Sequence, residues 1–372
     1  AHSSGRRLQG GSHSAALRPA LVREGLFVKA LVKTQRGPGF VELREVPEPS
    51  PGSGEVLIET EACGICGTDV HVLHDEFPYW PPVILGHEFS GQIVEMGAGT
   101  SLFKVGDRVV GEPHTQACGQ CYLCRTGNIQ ICRMKRSPGW GIDGAFTRYL
   151  KMPERLLHRI PDNVSYDTAA IVEPAANTVH DVIERAKVEA GDFVVVVGPG
   201  PIGLLAAMTA RAAGARRTVV IGAKEDNAMR LPKARELGFE ALAHNDATNP
   251  VDAVLGMTGG IGADLVIECS GAAAGIASAI DLVRKKGRIC AIGLTGKQSI
   301  PFPWDKAALK VCDLIFNLST SYTSWDRTIH LIANGALPVE KVISHRLPLA
   351  DWEYAFREIE ARRALKVLLV PE

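Results

Sequence analysis

The sequence predicts an α/β protein in two parts, an irregular β-rich, barrel-like unit followed by a doubly wound α/β unit. Two observations carry this. From Phe27 onward, short β-prone segments are separated by spacers rich in Gly and Pro, such as Gly37-Pro38-Gly39 and Pro49-Ser50-Pro51-Gly52-Ser53-Gly54, with little helical periodicity. From about Pro174, apolar strand-like runs alternate with helical ones, the pattern of a parallel sheet. The length agrees, because 372 residues exceed what one core usually holds.

In the first unit the β-prone segments are 27–32, 40–46, 55–61, 90–95, 108–111 and 146–151. In the second, 193–197 is a short, wholly apolar strand of the buried parallel type, with further strands at 218–221, 264–268 and 288–292. A helix is expected at 202–213, closed by Gly214. After about Leu318 come a helix-like segment around Tyr354, Ala355 and Phe356 and a last strand at 365–370.

Composition narrows the function. Lys+Arg and Asp+Glu both total 41, so bulk charge gives no support for a nucleic-acid or anionic-membrane partner. The apolar run 193–197 is bounded by Asp192 and Gly198, and no run is long enough to span a bilayer. Nine cysteines, an odd number with four tightly spaced, suggest metal binding in a reducing compartment, hence a cytoplasmic location. Residues 1–23 hold Arg6, Arg7, Arg18 and Arg23 and no acid. They read as a disordered or artificial extension, with an organellar matrix as the location if the segment is a native transit peptide.

Cys118-x2-Cys121-x2-Cys124-x7-Cys132 places four thiols within 15 residues. All four can reach one ion, and a closed tetrahedron of thiolates leaves no position for chemistry, so this is a structural zinc motif. A zinc ribbon binding nucleic acid is the rival, weakened by a basic surface limited to Arg133, Lys135 and Arg136. Upstream, Cys66-Gly67-Thr68-Asp69-Val70-His71 and Gly86-His87-Glu88 bring a thiol, imidazoles and carboxylates within 23 residues. These are the ligand types that zinc takes. A satisfied core histidine is the alternative for His87, and a surface histidine for His71 and His74. The proline-rich stretch between the two ends reads as a loop.

The strand 193–197 runs into Gly198-Pro199-Gly200-Pro201-Ile202-Gly203, a G-x-G-x-x-G at the start of a helix. Gly198 permits the turn, Gly200 lets backbone approach a pyrophosphate, and Gly203 lets helix and strand pack closely. The helix N-terminus offers free N–H groups to the phosphates.

These motifs, in this order, resemble the zinc-dependent medium-chain dehydrogenases, nearest to their polyol (sorbitol-type) branch. The resemblance runs from about Phe27 to Pro371 and includes Asp143-Gly144-Ala145-Phe146, Pro161-Asp162-Asn163-Val164 and Glu173-Pro174. It implies a barrel-like catalytic domain over 24–173 with a structural zinc lobe at 112–135. A Rossmann NAD(P)-binding domain would cover 174–318, with a return to the catalytic domain over 319–372. The implied cofactors are two zinc ions per chain and NAD(P), and the implied assembly is a homo-oligomer, dimer or tetramer.

The resemblance also assigns roles. Cys66 and His87 become catalytic zinc ligands, with Glu88 and Glu173 as acidic candidates left undecided between them. Thr68 and His71 carry the substrate proton outward, Asp69 orients His87, and Cys63 is a packing residue. Gly198, Gly200, Pro201, Ile202 and Gly203 bind the dinucleotide. Lys366 falls where the family has a base near the cofactor phosphates and the zinc-site glutamate. Cys269, Cys290 and Cys312 read as inert core thiols.

The implied reaction is reversible oxidation of a secondary alcohol or polyol to a ketone. A threonine-type amino-alcohol dehydrogenase, or a non-catalytic relative, is the alternative. Thr320 and Ser321 fall where sorbitol enzymes carry an Arg-Tyr pair on the polyol. Polar but uncharged residues there predict a neutral diol or polyol, with sorbitol a poor substrate. Phe77, Tyr79 and Trp80 are candidates for an apolar wall, with loop packing the alternative. At the end of the second strand, Gly222-Ala223-Lys224 has no acid for the ribose hydroxyls and a cation two residues on, which leans to NADP. Glu225 and Asp226 follow, and either could fold back toward the ribose.

Overall fold

A computed structural model describes residues 26–244 and 249–372, and the extension expected over 1–23 lies outside them. The doubly wound part is a six-stranded sheet ordered Glu240–Ala243, Arg217–Gly222, Phe193–Val197, Ala263–Glu268, Val283–Ala291, Asp313–Phe316. Every neighbouring pair is parallel. In chain order this is 3-2-1-4-5-6, the Rossmann arrangement, whose winding reverses beside its first strand. All five residues of Phe193–Val197 are buried, as a strand covered on both faces requires.

That strand ends at Gly198, whose φ of +101° is open to glycine at little cost. Helix Pro201–Ala212 follows at once, with proline in its first turn, where a missing N–H costs nothing. A Cβ on Gly203 would lie 1.8 Å from the Gly198 carbonyl oxygen, so the turn closes only around glycine.

The β-rich part holds a seven-stranded sheet. Its path runs Ile343–Pro348, Lys366–Val370, Glu55–Gly64, Glu88–Met96, Arg108–Gly111, Leu157–Arg159, and Tyr149–Pro153 also pairs with Glu55–Gly64. A three-stranded sheet joins Val41–Pro47, Phe27–Lys33 and Val83–Ile84. The last strand of the chain therefore returns to the first unit, antiparallel to Glu55–Gly64 through the pairs Leu368 with Gly64 and Leu369 with Cys63. Trp325 and Ile332, on helix Tyr322–Ala333, share one apolar cluster with Val172, Ala175, Leu204 and Ala62. Among the described residues no helix is long and apolar enough to cross a membrane.

Among the elements not anticipated, one lies within the first metal motif. Residues Gly67–Leu73 form a helix, nucleated by Asp69, whose carboxylate accepts from the Cys66 N–H at 2.9 Å. Seven residues are too few for a periodic pattern to be read.

Because the Gly203 contact is with backbone, Gly203→Ala should lower stability by about 3 kcal/mol. Gly200→Ala, with open space at its Cβ, should cost about 1 kcal/mol or less, for the poorer N-cap. Urea unfolding of the two variants beside the parent checks this.

Candidate active site

The cysteine knot is built from turns. Gly119 and Gly127 take φ of +69° and +81°, bringing all four sulfurs together. Sγ distances are 3.9 Å for Cys118–Cys124, 3.9 Å for Cys121–Cys132 and 3.6 Å for Cys118–Cys132. A regular tetrahedron of zinc–sulfur bonds has edges of about 3.8 Å. Backbone N–H groups of Cys118 and Met134 donate to Cys132 Sγ at 3.4 Å and hold its pKa down to about 6. Cys124, with burial as the main cause, is pushed up to about 12. Four thiols with sulfur spacings of this size make a structural zinc site, with no open position.

The second cluster forms where three strands of the large sheet meet. One donor atom each from Cys66, His87 and Glu88 lies within 4.8 Å of the others. Gly64 pairs with Glu88 across the sheet, and the Ile65 N–H donates to Val367. Lys366 enters beside them, its Nζ 2.8 and 2.7 Å from the two Glu88 oxygens and 3.0 Å from the Ile65 carbonyl. The acid placed against Lys366 is thus Glu88. Space for that carboxylate comes from Gly64, where a Cβ would lie 2.2 Å from Glu88 Oε2.

His87 is buried, and its Nδ1 has no hydrogen-bond partner, with Asp69 Oδ1 4.0 Å away. Burial alone would lower the imidazole pKa, but Cys66, Asp69 and Glu173 outweigh it and raise it to about 10. The pocket thus draws in positive charge, and a thiolate, an imidazole and a carboxylate suit zinc. Glu173 lies outside the three-residue cluster. Its Oε1 accepts from Asn177 Nδ2 at 3.0 Å, and burial raises its pKa. Thr68 Oγ1 is 3.6 Å from Cys66 Sγ, whereas His71 is exposed and 2.9 Å from Glu76.

Residues 52–162 match the alcohol dehydrogenase GroES-like domain and residues 201–334 the zinc-binding dehydrogenase domain. Sorbitol dehydrogenase of Halalkalibacterium halodurans is 38% identical over 344 residues, 92% of this chain and 99% of the relative. The chain belongs to the zinc-containing alcohol dehydrogenase family. L-threonine 3-dehydrogenase of Bacillus velezensis follows at 35% over 358 residues, 92% of this chain and 99% of its own. A Sinorhizobium meliloti structure bound to NADP is 32% identical with a TM-score of 0.84, covering 93% of this chain and 100% of that one. The chain is accordingly an NAD(P)-dependent enzyme of the zinc alcohol dehydrogenase type.

Around this dehydrogenase site several expectations need correction. Thr320 is wholly buried, 3.0 Å from His114 Nε2 and accepting from Trp325 Nε1 at 2.9 Å. Ser321 caps helix Tyr322–Ala333 and donates to Glu184 at 2.6 Å. Both are committed to internal bonds, so neither is free to read a polyol. Tyr79 is also buried, its hydroxyl 2.5 Å from Asp75 and accepting from the Gly37 N–H, so it packs the loop. Trp80 stacks under Arg136 at 3.8 Å. Phe77 alone of the three reaches toward the metal cluster, edge-on to Trp140 at 5.6 Å, and Trp140 is edge-on to His87 at 4.7 Å.

The residues missed are Trp140, Asn177 and Gly64, with the buried network Glu112, His114 and His158. Glu112 lies 2.9 Å from His158, which stacks on Trp325. Burial, with Lys135 nearby, pulls the His114 pKa down to about 3. Asn177 was open to inference, four residues after Glu173 on one helix face. So was Gly64, a glycine within a strand, which often marks close approach.

At the dinucleotide end, Lys224 is exposed. Asp226 folds back onto its own turn, its Oδ2 accepting from the Ala223 N–H at 2.9 Å, and the residue is buried. A Cβ on Gly222 would lie 2.9 Å from Pro199 and 3.1 Å from Asp226, so this position has no spare room.

Lys366→Met should cost about 3–5 kcal/mol, because it leaves the Glu88 carboxylate buried and unpaired. Adding Glu88→Gln should recover more than half of that loss in the same denaturation experiment.

Proposed function

We propose that the chain oxidises a secondary alcohol or polyol reversibly to a ketone, passing hydride to NAD(P). The observation that carries this reading is the buried triad of Cys66, His87 and Glu88, whose donor atoms lie within 4.8 Å of one another. These three would hold the catalytic zinc, with Glu173 as a further acid. Zinc there supplies Lewis acidity toward a hydroxyl, and NAD(P) on Gly198, Gly200, Pro201, Ile202 and Gly203 supplies the hydride acceptor.

The chain's own residues do the rest. Thr68, a hydroxyl that both donates and accepts, takes up the substrate proton beside Cys66. His71, on the same short helix and exposed, delivers it to solvent. Asp69 fixes the backbone at Cys66 and at Gly86, which donates to Oδ1 at 3.2 Å, and so sets His87 in place. Trp140 shields one edge of the imidazole from water. The proposed extents remain 24–173 and 319–372 for the catalytic domain and 174–318 for the cofactor domain. Oxidation of a threonine-type amino alcohol is the second reading, favoured by the 35% identity to a threonine dehydrogenase.

The test is zinc-loaded protein assayed with NAD and NADP on a panel of secondary alcohols, diols and amino alcohols. Mild chelation should abolish turnover while the fold persists, since the open, carboxylate-bearing site holds metal less firmly than four thiolates. Metal analysis should then fall from two zinc per chain toward one. No reduction of either cofactor across the panel, or joint loss of fold and activity, would count against the reading.

Cofactor preference is proposed to lean to NADP. Gly222 and Ala223 carry no acid, one oxygen of the buried Asp226 carboxylate is taken up by its own turn, and Lys224 stands exposed beside them. Lys224→Ala should raise the KM for NADP about tenfold, the size of a lost charged hydrogen bond, and leave NAD nearly unchanged. Equal effects on both cofactors would mean a merely solvated lysine.

A further inference from the structure

The six-stranded sheet ends in two edge strands that are finished differently. Glu240–Ala243 exposes no large apolar side chain and pairs Glu240 with Arg217. Charges of this kind keep a strand edge from recruiting another chain. The opposite edge, Asp313–Phe316, carries a single acid, and Leu314 and Phe316 are exposed. Eight of the nineteen exposed large apolar side chains among the described residues fall between Leu294 and Tyr322, so the bare surface is concentrated at this edge. Helix Trp304–Lys310, which precedes the strand, has no buried residue, and Trp304 and Leu309 stand open on it.

Between helix and strand stands Val311, with φ of +52° and 68% of its surface exposed. Its N–H donates to the Ala308 carbonyl at 3.0 Å and so closes the helix. A helix ending in this left-handed conformation ordinarily takes glycine, and a β-branched side chain there is strained. Among the described residues no other β-branched residue takes a positive φ. Facing water, the valine gains nothing in return for that strain. A contact that covers its isopropyl group would supply the compensation.

The patch has the shape and charge to meet a copy of itself. Trp304, Leu309 and Phe316 project beside a cavity of about 410 Å³, which Ile280, Ile289, Phe302 and Leu314 help to line. Projections and hollow thus share one face, as an isologous two-fold contact requires. Lys306 is paired with Asp281, and Lys310 Nζ donates to the Asp281 carbonyl at 2.9 Å, so the cations of the helix are held by their own chain. Left free, they would repel their counterparts across a two-fold axis. The exposed surface of Trp304, Leu309, Val311, Leu314, Phe316 and Leu318 is roughly 700 Å², more than monomers usually leave bare and near the ~800 Å² per partner of a stable interface.

We propose that helix Trp304–Lys310, Val311 and strand Asp313–Phe316 form the face on which two copies of this chain pair, with Val311 an anchor covered by the second copy. The sequence resemblance implies a homo-oligomer without naming a face, and the proposal does not depend on the dehydrogenase reading. The face reaches the carboxyl ends of Val283–Ala291 and Asp313–Phe316, the side of the parallel sheet on which Gly198 opens the cofactor crevice.

Sedimentation of the zinc-loaded full chain over a wide range of concentration tests it. The parent should run as a dimer or a pair of dimers. Phe316→Asp and Leu309→Lys, both at exposed positions, should each halve that mass while circular dichroism shows the fold retained. Val311→Gly should weaken pairing about tenfold or more, the worth of one buried aliphatic side chain. Within the Phe316→Asp background the same Val311→Gly change should instead raise the melting temperature by about 2 °C, because only the relief of strain remains. Should a charged variant fail to fold, amide exchange on the unsubstituted parent decides, and protection across residues 304–316 should rise with concentration. A monomeric parent, an assembly that survives both charged variants, exchange at 304–316 independent of concentration, or pairing unchanged by Val311→Gly would overturn the proposal.

Discussion

Glu88 and Lys366 stand 278 positions apart and meet in a place closed to water. Removing both charges from solvent is expensive, and attraction repays it only where each remaining polar atom is satisfied. Here the ammonium reaches both carboxylate oxygens and the Ile65 carbonyl. Against the cost of burial, Glu88 and Cys66 beside it lift the ammonium's pKa above its usual range. The pair fixes the last strand of the chain against the strand that precedes Cys66, and so holds the candidate metal ligands in register. Cys66, His87 and Asp69 take their positions from backbone this contact secures.

The cysteine knot and the candidate metal site at the triad then differ for a physical reason. In the knot, turns deliver four like ligands from one short segment, and N–H groups aimed at sulfur make thiolates favourable without help from the rest of the fold. At the triad, ligands come from a helix start and a strand start, and the charges around them belong to residues from across the chain. The knot is joined to the triad by residues 132–140, ending at the ring on His87. A lobe with a closed, four-thiol site therefore sets one wall of the candidate active site.

This difference also explains what could be read from the sequence. The knot is written in spacing alone, and strand Phe193–Val197 with its glycine turn is equally local, so both were legible residue by residue. Cys66, His87 and Glu88 were legible as ligand types, and the resemblance put Lys366 near a glutamate. Spacing gives no hint of which carboxylate a lysine 278 residues away will choose, because that choice is made by strand register. Thr320 and Ser321 misled for the same reason, since His114 and Glu184 come to them from 206 and 137 residues away along the chain. Tyr79 looked like a pocket aromatic because sequence shows a ring and not the Asp75 carboxylate that claims its hydroxyl.

Gly64 constrains how such a site can change over generations. A single methyl group there would stand 2.2 Å from Glu88 Oε2, with Glu88 Cβ at 3.3 Å, so no side chain fits while the glutamate keeps its place. Substitutions at the two positions must therefore come in a fixed order, Glu88 first and Gly64 second. The first step strands Lys366, which sits buried with its charge. A lineage drifting away from metal-dependent chemistry would meet a barrier at its opening move, and a chain that retains Gly64, Glu88 and Lys366 together has not yet crossed it.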